Sequence, residues 1–217
     1  MVSSDLFQEN IVNKKKLEIL LQKIPGFTRP SKRLEQYTTP TWLVAEIINE
    51  AYLRNDLKNK VVADLGCGTG RISIAAALSG AERIFCIDIS CRDLEKAYEY
   101  SKIFGIDHLI DFICWDLEKS IRVSVDTTIM NPPFGVYRRG YDILFLRRAY
   151  EITNRSIYSI HKYNKESLDL INRSARENGF ETRVLGIYDM EIPAVFETHR
   201  RRIYRFKVAV MYFRRIT

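Results

Sequence analysis

The sequence predicts an α/β fold: a mostly parallel sheet with helices on both faces. Two observations predict it. Short apolar runs suited to strands alternate along the chain with stretches of helical periodicity. The first of these runs also breaks into a glycine-rich turn that opens a helix, as strand–turn–helix units of such sheets do. At 217 residues the chain is one domain with an extension, long enough to bury about 70% of its unfolded surface. The apolar share, 46%, excludes wholesale disorder.

The elements follow in order. Residues 13–23 have helical spacing with Asn13 as cap, and Pro25-Gly26 stops that helix. After a polar link, Thr39-Pro40 starts a second helix through about Leu53, with Pro40 in its first turn. Strands are expected near 60–65, 83–89, 109–115 and 125–130, with helices near 71–79, 91–104 and 140–153 between them. Further strands fit 155–160 and 180–187 around a helix near 165–178 that Gly179 ends, and a last strand fits 203–213. Ligands of such sheets sit at the carboxyl ends of the strands. No repeat or interdomain linker interrupts the pattern, so residues 1–39 extend one domain.

Charge and cysteine usage narrow the classes. The chain has 34 basic and 27 acidic residues, a net charge of +7. Arg200, Arg201, Arg202, Arg205, Lys207, Arg214 and Arg215 lie in an acid-free C-terminal segment, so a basic patch sits on a balanced body. That patch suits a polyanion, nucleic acid first, and equally suits a solvated strand. Cys67, Cys86, Cys91 and Cys114 form no Cys-x-x-Cys pair, and His108, His161 and His199 are scattered, so no metal site is expected. The cysteines read as reduced, buried thiols. Met1 to Asp5 lacks the pattern of a secretory leader, and no run approaches the roughly 18 apolar residues of a membrane span. The expected compartment is the cytoplasm.

Two motifs carry chemistry. Asp64-Leu65-Gly66-Cys67-Gly68-Thr69-Gly70 ends a strand in an acid and continues as G-x-G-x-G, with Arg71 where a dinucleotide fingerprint would place its late glycine. It resembles the first motif of class I methyltransferases that use S-adenosylmethionine. Ile84 to Asp88 is an apolar run ending in carboxylate, which suits ribose hydroxyls. Phe112 to Asp116 ends a third run in an acid suited to an adenine amino group. Glycine turns and strand-ending acids also occur without ligands, but here all three stand in register. The cofactor set expected from this reading is Asp64, Gly66, Gly68, Gly70, Asp88, Ile89, Asp116, Leu117 and Asn131.

Asn131-Pro132-Pro133-Phe134 follows the fourth strand at the same sheet edge. It resembles the catalytic motif of methyltransferases acting on planar nitrogens: adenine N6, cytosine N4, guanine N2 or a glutamine amide. Such a nitrogen has a delocalised lone pair and is a poor nucleophile. The Asn131 side-chain oxygen and the Pro132 carbonyl can each accept one amino hydrogen, so positioning and dipoles do most of the work. The prolines stiffen the loop and Phe134 offers a stacking face. A target base has to be unpaired or flipped. A rigid turn is the alternative for the bare tetrapeptide.

Further segments extend the likeness. Leu34-Glu35-Gln36-Tyr37-Thr38-Thr39-Pro40 precedes the domain, Gly140-Tyr141-Asp142 follows the tetrapeptide, and Tyr158-Ser159-Ile160-His161-Lys162 ends the fifth strand. Ile192 to Phe196 leads into His199 and Arg200 to Arg202. Together and in this order they resemble the methyltransferase-like-5 type of small-subunit ribosomal RNA adenine-N6 methyltransferase, archaeal members included, over roughly residues 30 to 213. The resemblance implies a class I Rossmann-like methyltransferase fold with an antiparallel last strand. It implies a helical extension and cofactor-capping segment over 1–39 and a methyltransferase domain over 40–217. It implies transfer of one methyl to adenine N6 of small-subunit rRNA, with Gln36, Tyr37 and Thr39 near the cofactor or the mouth of its pocket. It also implies a small zinc-binding activator protein as heterodimer partner. The loop Val136-Tyr137-Arg138-Arg139 departs from the family's lysine- and asparagine-rich loop. Arg138 and Arg139 suit phosphate contact and equally suit an exposed loop. His161 and Lys162 are grouped with the candidate RNA contacts. His161 suits a place beside the target or a strand-end structural role, and His199 with Arg200 to Arg202 suits phosphate. Two other readings remain: a protein glutamine N5 methyltransferase, and a non-catalytic RNA-binding assembly factor.

Overall fold

The computed structural model describes residues 13–27, 30–31, 33–135, 138–193 and 203–216. His199, Arg200, Arg201 and Arg202 lie outside the described residues. Helix α1 (Lys14–Leu21) is capped by Asn13, whose side-chain oxygen accepts from the Lys15 and Lys16 amides, and it buries Leu17 and Leu21. Helix α2 (Thr41–Leu53) begins after Pro40, whose extended ψ turns the chain into it. Then come β1 (Val61–Leu65), α3 (Arg71–Leu78), β2 (Arg83–Asp88), α4 (Cys91–Ile103), a single 3-10 turn, β3 (Ile110–Cys114) and β4 (Val125–Met130). After β4 come α5 (Tyr141–Ile152), β5 (Thr153–Lys162), α6 (Lys165–Glu177), β6 (Phe180–Pro193) and β7 (Ile203–Arg215).

The seven strands form one sheet in the order β3-β2-β1-β4-β5-β7-β6. All neighbours are parallel except β7, which runs antiparallel to both β5 and β6. Helices cover both faces. Val62, Ile84, Ile129 and Ile160 turn to the layer of α1, α2, α3 and α4, while Ala63, Leu65, Ile157 and Ala209 turn to that of α5 and α6. Buried on both sides, the central strands read as continuous apolar runs. From β1 the chain builds outward to β2 and β3, then returns to place β4 on the other side of β1. That reversal opens a cleft at the carboxyl ends of β1 and β4. No helix among the described residues is long and apolar enough to cross a membrane.

One expectation is corrected by this topology. Cys91 and Cys114 are not buried thiols. Both are exposed and joined in a disulfide, because β2 and β3 pair in parallel with Asp88 opposite Cys114, bringing the start of α4 to the end of β3. Cys67 and Cys86 remain free, with their sulfurs 2.9 Å apart. The C-terminal charge is also less available than its count suggests. Strand β6 runs six residues beyond its expected end at 187, because it pairs with β7 along its whole length. That pairing sets Glu191 against Arg205, with an ion pair of 2.6 Å, Asp189 opposite Lys207, and Glu181 opposite Arg214. Arg215 donates to the Thr153 and Tyr150 carbonyls and lies over the Phe180 ring.

Candidate active site at the switch point

The glycine loop is fastened to β2. Gly66 and Cys67 amides donate to the Ile87 carbonyl at 2.8 and 3.1 Å, and the Gly68 amide donates to Asp88 Oδ2 at 2.9 Å. Gly66, Gly68 and Gly70 all have positive φ, which glycine alone adopts freely. Asp88, almost buried at the end of β2, accepts from the Ser90 amide with its other oxygen. Burial pushes its pKa up, opposed by these backbone donors. Each carboxylate oxygen keeps a second lone pair for an outside donor.

Asp88 and Gly66 line a cleft of about 790 Å³, open mouth included, together with Gln36, Tyr37, Ile89, Asp116, Leu117, Asn131 and Pro133. Thr39 and Gly68 line an adjoining hollow of about 360 Å³ with Thr69. Apolar walls from Ile89, Trp115 and Leu117 beside two carboxylates, and a loop with no side chains at Gly66 and Gly68, fit an adenosine with free hydroxyls.

Two expected cofactor residues stand elsewhere. Asp64 is fully buried beneath the loop, where Oδ2 accepts from the Ser73 amide and hydroxyl at 2.9 and 2.7 Å. Burial pushes its pKa up to about 7, and its Oδ1 has no partner. It ties β1 to α3 rather than facing the cleft. Gly70 starts α3 in a left-handed conformation, and a Cβ there would meet the Ala97 Cβ at 2.7 Å. Its smallness lets α3 pack on α4.

Asn131 directly follows β4. Its Nδ2 donates to Thr39 Oγ1 at 2.8 Å, which turns Oδ1 toward the cleft. The Tyr37 hydroxyl donates to that Oδ1 at 3.1 Å and approaches the Pro132 carbonyl at 3.4 Å. Burial holds the Tyr37 phenol pKa well above its ordinary value, so the donor proton stays. The Tyr37 ring stacks on Phe134 at 5.0 Å between centroids, and Phe206 of β7 meets Phe134 edge-on at 5.4 Å.

The extension covers this corner, and its anchors were not legible in the motifs. Gln36 donates to Asp93 of α4 at 2.9 Å and accepts from the Ser31 amide at 2.8 Å. Arg71 donates to the carbonyls of Thr39 and Ile24 at 2.9 and 2.6 Å. The Phe27 ring lies against the glycine loop, 2.5 Å from where a Cβ on Gly68 would stand.

The basic candidates divide. Arg138 at the cleft rim is held by Glu118 at 2.8 Å and lies over the Tyr141 ring. Arg139 and Lys162 are exposed. His161 is 1% exposed, with both ring nitrogens unpartnered, and burial lowers its pKa to about 3. An RNA contact by His161 is therefore corrected in favour of the structural role: it is a neutral ring inside the α5–α6 layer, turned inward by the alternation of β5.

Residues 43–149 match the family model "Methyltransferase small domain". An uncharacterised protein of Methanocaldococcus jannaschii is 34% identical, covering 92% of this chain and 93% of its own. METTL5 of Danio rerio, an rRNA N(6)-adenosine-methyltransferase, is 33% identical, covering 87% of this chain and 92% of its own. A crystal structure from Pyrococcus horikoshii, proposed to be an RNA methyltransferase, superposes with a TM-score of 0.87 at 35% identity, covering 94% of this chain and 98% of that one.

Proposed function

The chain belongs to the methyltransferase-like-5 family of rRNA N6-adenosine methyltransferases, and from that membership we propose that it transfers one methyl group from S-adenosylmethionine to N6 of an adenine in small-subunit ribosomal RNA. One observation carries the reading. Asn131 Oδ1 and the Pro132 carbonyl converge on a single donor, the Tyr37 hydroxyl. An exocyclic amino group offers two N–H bonds to the same two oxygens. Holding both would draw the nitrogen toward a more tetrahedral lone pair and aim it at the cofactor side of the cleft. When bound, the cofactor supplies an electrophilic methyl on a positively charged sulfur. No strong general base is required, because positioning and oriented dipoles carry the step.

On the cofactor side, Asp88 would take the ribose hydroxyls, Ile89 and Leu117 would flank the adenine, and Asp116 would take its amino group. Gln36, Thr39, Gly66 and Gly68 would close around the remainder. Arg139 and Lys162, with Arg200 to Arg202, would meet RNA phosphates. The reaction would run in the cytoplasm with a small zinc-binding activator as heterodimer partner. What supports such a partner is the exposed apolar surface of Tyr98, Ile103 and Trp115 on α4 and at the β3 edge.

The test is transfer of labelled methyl to ribosomal RNA lacking the mark, with nucleoside digestion. Label is expected in N6-methyladenosine, and Asn131→Ala should abolish it while cofactor affinity changes less than threefold. Label confined to cytidine or guanosine, or surviving RNase treatment on a protein, would refute the proposal.

A further inference from the structure

The feature the proposed chemistry leaves unused is the occupant of its own corner. Tyr37 offers an aromatic ring, stacked at 26° on Phe134, and a hydroxyl donor shared between Asn131 Oδ1 and the Pro132 carbonyl. Those are the three contacts a target adenine would require: one stacking face and two acceptors. We propose that Tyr37 is a stand-in for the target base, competing with it for the same place, so that the base enters by displacing the Tyr37 ring. This rests on the nucleobase reading above.

The displacement has chemical consequences for selectivity. Removing Tyr37 forfeits a stack and leaves two acceptors unpaired, which is costly in a shielded corner. An aromatic amine restores all three contacts. An aliphatic amide restores the hydrogen bonds and leaves Phe134 bare. Tyr37 therefore favours a planar aromatic amine over a glutamine side chain, a choice the tetrapeptide alone does not make. The motion is confined to the side chain and its near neighbours. Gln36 and Thr39 on either side stay anchored to Asp93 and Asn131, so the Asn131 oxygen keeps its aim while the ring leaves.

The experiment uses the full chain labelled with 3-fluorotyrosine, with S-adenosylhomocysteine saturating the cofactor cleft. The Tyr37 fluorine resonance is identified by its loss in Tyr37→Phe. Adenosine monophosphate should move that resonance toward the position of solvent-exposed tyrosine, and a glutamine-containing peptide at equal concentration should not. Tyr37→Phe, which keeps the ring and deletes the competing hydroxyl, should bind adenosine monophosphate about three- to tenfold more tightly, as one released hydrogen bond implies. Tyr37→Ala should bind it more tightly still. An unmoved resonance with the nucleotide bound, weaker binding by Tyr37→Phe, or no binding even to Tyr37→Ala at millimolar nucleotide would overturn the proposal. These are binding readouts. Methyl transfer to RNA adenosine with a motionless Tyr37 refutes the stand-in and spares the function, and a responsive Tyr37 without transfer does the reverse.

Discussion

Replacing Thr39 with valine tests how the acceptor is aimed. Valine keeps the shape of threonine and leaves the backbone carbonyl of residue 39 available to Arg71, so the extension stays tied to α3. What goes is the oxygen that accepts from Asn131 Nδ2 at 2.8 Å. An amide has two orientations about its last bond, and this contact selects the one with Oδ1 facing the cleft. Without it, the productive orientation leaves a shielded N–H unpaired, at a cost of about 1–3 kcal/mol. The flipped orientation can rest its N–H on the Tyr37 hydroxyl oxygen, but it then presents hydrogens to an incoming amino group. The rate of methyl transfer should fall roughly fivefold to a hundredfold on that free-energy scale. The assay is single-turnover transfer of labelled methyl at saturating RNA and cofactor, beside calorimetric cofactor binding, which should change less than threefold. A transfer rate within twofold of the parent would refute the idea that this hydrogen bond orients the acceptor.

Three further outcomes follow from burial and cross-linking. Asp64 titrates near 7 in the fold against 3.8 for a free side chain, so the folded state holds its proton more tightly. Its contribution to stability is present below pH 4 and lost as pH rises to about 7. Asp64→Asn, which cannot titrate, should flatten the fall in melting temperature across that window. His161 is the opposite case: its pKa falls from 6.5 to about 3, so its stability is present above 6.5 and lost as pH drops toward 3. His161→Leu should lessen acid unfolding measured by circular dichroism, because it removes two unpartnered buried nitrogens. The disulfide between Cys91 and Cys114 spans 23 positions, and Cys91→Ser should lower unfolding free energy by about 3 kcal/mol in a non-reducing denaturant titration. An unchanged midpoint would mean the cross-link constrains the unfolded chain very little.

The cofactor side of the site was readable because it is local in sequence. Asp64 to Gly70 and Ile84 to Asp88 belong to one strand–helix–strand unit, and parallel pairing of β1 with β2 brings their ends together without help from distant segments. What escaped the sequence was made by distant pairing. The basic C-terminal segment looked uncompensated because Glu191 and Asp189 lie on the preceding strand, and only the β6–β7 register sets them against Arg205 and Lys207. The disulfide escaped for a similar reason, since its spacing means nothing until β2 and β3 are neighbours. His161 was misread because its neighbours in sequence look like a motif. Its burial comes from β5 being an interior strand, where inward positions on both faces are covered.

The same distinction explains why Tyr37 was placed with the cofactor. Tyr37 lines the cleft as its neighbours Gln36 and Thr39 do, but a segment read as a unit gives one role to all its residues and hides its second one. Side chains along an extended segment do not share a direction. Gln36 turns to α4, Thr39 to the Asn131 amide, and Tyr37 to the acceptor pair itself. One short stretch thus touches the cofactor wall, the orientation of the acceptor and the place of the target. Arg71, at the first turn of α3, fixes that stretch by binding carbonyls at Ile24 and Thr39. Because the glycine loop ends one residue before Arg71, the loop and the extension are coupled through the start of one helix.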